Sequence, residues 1–164
     1  MVKNPLRTIV VGAGTIAGIH IDVLRRIGVD VVSIVASTPE RSVEAAKRFG
    51  ISRGDVDLDV AIRGSDAQVM HICAPNTLHH QMVITGLDAG LHVVCEKPLA
   101  TSVAEARSIV EHVGHDDRSH AVCFNNRFYP MVQDLKARRA AGDLGRVFLV
   151  RASIADDTLW APTD

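Results

Sequence analysis

What this chain lacks narrows its reading before any motif is considered. It carries no surplus of charge: 18 Lys and Arg stand against 19 Asp and Glu in mixed order, for a formal net charge of -1. Binding to nucleic acid or to a membrane surface calls for a basic face, so neither partner is expected and small-molecule work is the better reading. Cysteine is scarce. Cys73, Cys95 and Cys123 are odd in number and widely spaced, which argues against a disulfide framework and for a reducing compartment. Long apolar runs are missing too. The stretch from Thr8 to Val11 is interrupted by Gly12 and Gly14, far short of a signal-peptide core or a membrane span, so a cytoplasmic protein is expected. Internal repeats and low-complexity segments are also absent.

What remains is 164 residues with 47% apolar content, enough to fill a sizeable core in one domain and part of a second. Short β-branched runs alternate with helical patterns, the signature of successive βα units and a parallel sheet covered on both faces. Six strands are expected: Thr8 to Val11, Val31 to Ala36, a short one near Gly50 to Ser52, Gln68 to Ala74, Leu91 to Cys95, and His120 to Phe124. The helices between them have legible ends. Thr15 to Arg26 closes at Gly28, Leu78 to Ala89 at Gly90, and Pro130 to Ala141 at Gly142. Ser37 with Glu40, and Ser102 with Glu105, have capping-box spacing. This reads as a Rossmann-type, doubly wound α/β domain over residues 1–124. Residues 125–164 then begin a second, incomplete α/β domain, with a strand-like segment from Gly145 to Ile154 and a polar tail from Asp156 to Pro162.

The first chemical signal is Gly12-x-Gly14-x-x-Ala17. The first glycine permits a tight turn, the second lets backbone approach a pyrophosphate, and the small third residue lets helix pack on strand; Thr15 and Ile16 open the helix whose amides face the phosphates. About twenty residues on, NAD-selective sites place an acid, whereas this chain has Ala36-Ser37-Thr38. With Ser37, Thr38 and Arg41 as donors and no carboxylate to repel a 2'-phosphate, NAD(P) is the expected cofactor, with NADP slightly favoured. Ala74-Pro75-Asn76-Thr77-Leu78-His79 breaks the fourth strand and starts a helix, so Asn76 can reach over the sheet edge and His79 can line the cofactor.

Glu96-Lys97-Pro98 sits just past the fifth strand, in the crevice where open α/β sheets bind ligands. There Lys97 is the candidate acid or base beside a nicotinamide ring, Glu96 can hold the cofactor's amide end, and Pro98 rigidifies the turn. Arg127, after the sixth strand, can contact cofactor or substrate. Other groupings carry less. A three-thiolate metal site is imaginable, but small buried hydrophobes explain the same cysteines, and no metal is expected. Glu111, His112, His115, Asp116 and Asp117 read as a solvated helix end, His80 as solvated, and His71, His92 and His120 as buried, hydrogen-bonded residues.

Taken in order, Gly12-Ala13-Gly14, Ala74 to His79, Glu96-Lys97-Pro98 and Asn126-Arg127-Phe128 resemble the Gfo/Idh/MocA family of oxidoreductases over nearly the whole chain. The resemblance implies a two-domain enzyme whose second domain carries an open, largely antiparallel sheet, a small-molecule substrate pocket and, often, homo-oligomer contacts. It implies hydride transfer between NAD(P) and a hydroxyl or carbonyl carbon of a sugar, cyclitol or similar compound. By that resemblance Lys97 is the catalytic lysine, and Gly12, Gly14, Asn76, His79 and Glu96 line the cofactor. The family's further element, an acid followed four residues later by histidine, has no match in the second-domain stretch up to Asp164. The chain is therefore expected to stop inside that domain and to bind cofactor without efficient turnover. The rival reading is a non-catalytic NAD(P)-sensing module, which family membership alone does not exclude.

Overall fold

A computed structural model describes residues 5–114 and 117–153. They fall into two units that divide between Phe124 and Asn125. The first is a parallel sheet of β1 (Arg7–Val11), β2 (Asp30–Val35), β3 (Gly54–Asp55), β4 (Val69–Ile72), β5 (His92–Glu96) and β6 (His120–Cys123), in the order β3-β2-β1-β4-β5-β6. The connecting helices are α1 (Thr15–Arg26), α2 (Pro39–Phe49), α3 (Leu58–Arg63), α4 (His79–Asp88) and α5 (Val103–Val113). This order reverses between β1 and β4, and such a reversal opens a crevice at the carboxyl ends of the strands.

The two-residue period of the strands sorts side chains onto two cores. On one face Val10 packs with Ala17, Ile21 and Leu24 of α1 and with Ala45 and Ala46 of α2. On the other, Ile9, Val11, Met70, Ile72, Val93 and Cys95 meet Val83 and Leu87 of α4, Ile109 of α5 and Ala61 of α3. Ile9, Ile72 and Met70 have no exposed surface, and burying each such side chain contributes about 1.5–3 kcal/mol. The alternation also leaves His71, Val94 and Glu96 pointing to the α1 side, because Met70, Ile72, Val93 and Cys95 take the other.

Several expectations need correction. The short third strand is Gly54–Asp55, not Gly50 to Ser52: Gly50 is the left-handed cap of α2 at φ 59°, and the Ile51 amide is spent on the Ala46 carbonyl, so neither can join a ladder. The cap of α2 is Thr38 rather than Ser37, with Thr38 Oγ1 accepting from the Arg41 amide at 3.3 Å. At α5, Ser102 Oγ accepts from the Glu105 amide at 3.2 Å, but Glu105 Oε2 reaches back to Thr101, whose amide donates at 2.9 Å. Helix α3 was not foreseen, although Asp57 Oδ1 caps it by accepting from the Val60 amide at 3.0 Å. The fourth helix is preceded by a 3-10 turn, Asn76–Leu78, so α4 itself begins at His79.

The second unit holds a 3-10 turn, Asn125–Phe128, and α6 (Pro130–Ala141), closed by Gly142 at φ 85°. Among the described residues, 145–153 form no strand, because no neighbouring segment pairs with them. The polar tail from Asp156, together with His115 and Asp116, lies outside the described residues.

Candidate cofactor cleft

The glycine turn between β1 and α1 is shaped for close approach. Gly12 sits at φ 112°, and a Cβ there would run into the Cys73 carbonyl at the end of β4, while its amide donates to the Val35 carbonyl at 2.8 Å. Only glycine combines that angle with that contact. Gly14 is different: it caps α1 in an extended conformation, and a Cβ built on it meets nothing within 4 Å. No side chain caps α1, so its first amides face that open space, a cradle suited to an anionic group.

The turn forms one wall of a cleft of about 430 Å³. Gly12 and Gly14, Ala36, Ser37 and Arg41 from the β2 side, and Ala74, Pro75 and Leu78 beyond β4 all line it. Arg41 Nη1 donates to Ser37 Oγ at 3.4 Å, and both are exposed or nearly so at the cleft mouth. The acid nearest the end of β2 is already committed, for Asp55 Oδ2 accepts from Ser33 Oγ at 2.7 Å and from Arg53 Nε at 2.6 Å. Thr15, Ile16 and Asn76 are exposed at the starts of their helices, and Thr38 serves as a cap. Arg127 belongs to the second unit, where its guanidinium lies 5.5 Å from the Phe128 ring centroid.

His79 does not face the cleft. It has no exposed surface, and its ring nitrogens lie 2.7 Å (Nδ1) from the Pro98 carbonyl oxygen and 2.9 Å (Nε2) from that of Ala74. It links the segment after β4 to the segment after β5 instead of presenting a group to a ligand. The sequence reading missed this because the position of a histidine at a helix start does not reveal which way its ring turns.

At the end of β5, Lys97 is exposed and its peptide bond to Pro98 is cis. Glu96 beside it is anchored: Oε2 accepts from the Lys97 amide at 3.1 Å, and Oε1 lies 3.1 Å from His20 Nε2. Burial pushes this carboxyl up, but hydrogen bonds from His20, the Cys123 thiol and the Lys97 amide outweigh it and hold the group below the usual carboxylate range. His20, from the second turn of α1, was not singled out in the sequence. Its Nδ1 lies 3.0 Å from Nδ1 of His71, with the two rings edge-on at 77°. Burial and then the neighbouring His20 push His71 down to about 4.

Among the described residues, the other histidines are paired. His80 Nε2 lies 3.1 Å from Ser108 Oγ, His112 Nε2 lies 2.8 Å from Asp88 Oδ1, and His92 Nδ1 and His120 Nδ1 accept from the Ser119 and Val93 amides at 2.9 and 3.2 Å. The three cysteines do not converge on a three-thiolate site, since Cys95 packs into the α4 and α5 core while Cys73 packs on the α1 side. Burial, followed by the charge of Glu96, pushes Cys73 and Cys95 up to about 12. His20, Glu96 and Cys123 do hold ligand atoms within 4.8 Å of one another, but hydrogen bonding to the Glu96 carboxylate already accounts for their arrangement.

Residues 6–124 match the oxidoreductase family, NAD-binding Rossmann fold. The chain is 35% identical over 124 residues to levoglucosan dehydrogenase of Pseudarthrobacter phenanthrenivorans, covering 76% of this chain and 32% of that protein. It is 34% identical over 149 residues to inositol 2-dehydrogenase of Leifsonia xyli, covering 89% and 44%. Among solved structures, the WlbA dehydrogenase from Bordetella pertussis, in complex with NADH and UDP-GlcNAcA, superposes with a TM-score of 0.82 at 26% identity, over 88% of this chain and 44% of that one. The chain thus spans less than half the length of these relatives. No helix among the described residues is long and apolar enough to cross a membrane.

Proposed function

Because the chain belongs to the Gfo/Idh/MocA oxidoreductase family through its NAD-binding Rossmann fold, we propose that its cleft binds a nicotinamide dinucleotide for oxidoreduction of a sugar, cyclitol or similar CH-OH compound. The single observation that carries this reading is the pairing of an open cradle at Gly14 with Glu96-Lys97 at the carboxyl end of β5. Gly12, Gly14 and the α1 amides from Thr15 and Ile16 would hold the pyrophosphate, with Ser37, Thr38 and Arg41 toward the adenosine end. Ala74, Pro75, Asn76 and Glu96 would lie toward the nicotinamide end. When bound, the cofactor would supply the hydride donor or acceptor. Lys97 would hold or release the proton of the substrate hydroxyl.

For cofactor choice, what supports NADP is the absence of a free acid at the end of β2: Asp55 is engaged by Ser33 and Arg53, while Ser37 and Arg41 present donors. The resemblance further suggests a homo-oligomer and a histidine partner to Lys97.

Titration of the purified chain with NADH and NADPH, followed by nicotinamide fluorescence, tests the reading. Saturable binding of either is expected. Failure to bind both, with the fold intact by circular dichroism, would refute it.

A further inference from the structure

We infer that His20, held from behind by His71, is the positioning residue that fixes the Glu96 carboxylate at the nicotinamide end of the cleft. The inference rests on the cofactor reading above and adds to it a residue outside the glycine motif.

A carboxylate at the carboxyl end of a strand is free to turn toward water unless donors on both oxygens hold its plane. Here both oxygens are engaged. The Lys97 amide donates to Oε2 at 3.1 Å, and this bond alone would leave the second oxygen free to swing. His20 Nε2 stands 3.1 Å from Oε1, and the two side chains are only 11% and 14% exposed. The Cys123 thiol also hydrogen-bonds the carboxylate, but a thiol is a weak donor and cannot replace a ring N–H.

His71 holds the His20 ring from behind whichever way their shared hydrogen runs. Carboxylate oxygens only accept, so Nε2 of His20 must carry the proton that faces Glu96. The two Nδ1 atoms, 3.0 Å apart, then share one hydrogen. With both rings neutral, His71 donates and His20 accepts; with His20 doubly protonated, the direction reverses. In either assignment the N–H on Nε2 still points at Glu96, so the hold survives both. The edge-on contact of the rings, with centroids 5.2 Å apart, fixes the rotation of the His20 ring. A nitrogen not bound to the carboxylate is thus the one that orients the nitrogen that is.

The prediction is selective for one half of the cofactor. ADP-ribose fills the phosphate and adenosine parts of the cleft but lacks the nicotinamide that Glu96 would contact. In the full 164-residue chain, His20→Leu is expected to weaken NADH binding by about tenfold, the scale of one charge-assisted hydrogen bond, while ADP-ribose affinity stays within about twofold. His20→Gln, whose amide can still donate to Oε1, is expected to recover most of the loss. Glu96→Ala should show a similar loss, and adding His20→Leu to it should cost nothing further, because the residue being positioned is gone. Calorimetric titration of the wild type and these variants with both ligands reads each of these outcomes, with thermal midpoints recorded alongside. An unchanged NADH affinity in His20→Leu, an equal loss of both ligands, or full additivity with Glu96→Ala would each overturn the inference. If the wild type binds neither ligand, the cofactor reading itself falls; if it binds both but His20→Leu shows no selective loss, only the positioning role falls.

Discussion

His79 Nδ1 lies 2.7 Å from the carbonyl oxygen of Pro98, tying the first residue of α4 to the turn that carries Lys97. With Nε2 on the Ala74 carbonyl at 2.9 Å, one fully buried ring spans the exits of two adjacent strands. A group in that place acts on the shape of the cleft without touching what enters it.

His79→Ala is accordingly expected to destabilise the fold by roughly 3 kcal/mol, from the lost ring N–H donor to a strand-exit carbonyl and a side-chain cavity. Urea unfolding of the wild type and variant measures this. A loss below about 1 kcal/mol would mean that the two contacts are not the brace described here.

The two glycines of the first turn should respond differently to the same substitution. Gly12→Ala meets both the positive φ and the Cys73 carbonyl, so stability should fall by about 2 kcal/mol or more. Gly14→Ala has room and an ordinary φ, so stability should hold while the added methyl occupies the cradle and dinucleotide affinity drops by about tenfold or more. Thermal midpoints beside binding constants for the pair separate the structural glycine from the ligand-facing one.

Coenzyme choice should turn on Ser37 and Arg41. Ser37→Asp places a carboxylate where the cleft mouth now offers a hydroxyl, and NADPH affinity should fall about tenfold or more relative to NADH. Arg41→Ala should move the ratio the same way by a smaller factor. Binding constants for both coenzymes check this, and a wild type that clearly prefers NADH would contradict the NADP preference at the outset.

Acid should unfold the domain partly through His71. Its folded pKa, pushed down to about 4, lies below its ordinary 6.5, so the unfolded chain takes up a proton that the folded chain refuses. The resulting stability is complete above about pH 6.5 and is lost as pH falls through about 4. The charged or titratable group against this ring is His20 on α1, which in turn reaches Glu96 at the end of β5 and Cys123 at the end of β6. His71→Gln should flatten the fall in stability between pH 6.5 and 4, measured by denaturant unfolding across that range. Parallel curves for the two proteins would count against a neutral His71.

The sheet and its glycine turn were legible because their causes are local. Val and Ile runs, a glycine after the first strand and Ser102 before α5 each act within a few residues. The errors sit where a contact across the fold decides. Whether Ser37 or Thr38 caps α2 depends on one backbone turn, and the third strand is a pair of residues that only the edge of β2 makes into a strand. His20 could not be found from sequence spacing, since its partners are 51, 76 and 103 residues away. His79 was found but misread, because its neighbours, not its position at a helix start, set its direction.

Helix α1 has an unusual consequence for how binding would be felt. Its first amides face the cradle at Gly14, and His20, about one and a half turns on, grips Glu96. A packed helix moves as a rod, so any displacement that admits phosphate also shifts the grip on the carboxylate. The two ends of a dinucleotide would therefore be registered by one rigid body, and a ligand long enough to touch both would be read as a single length.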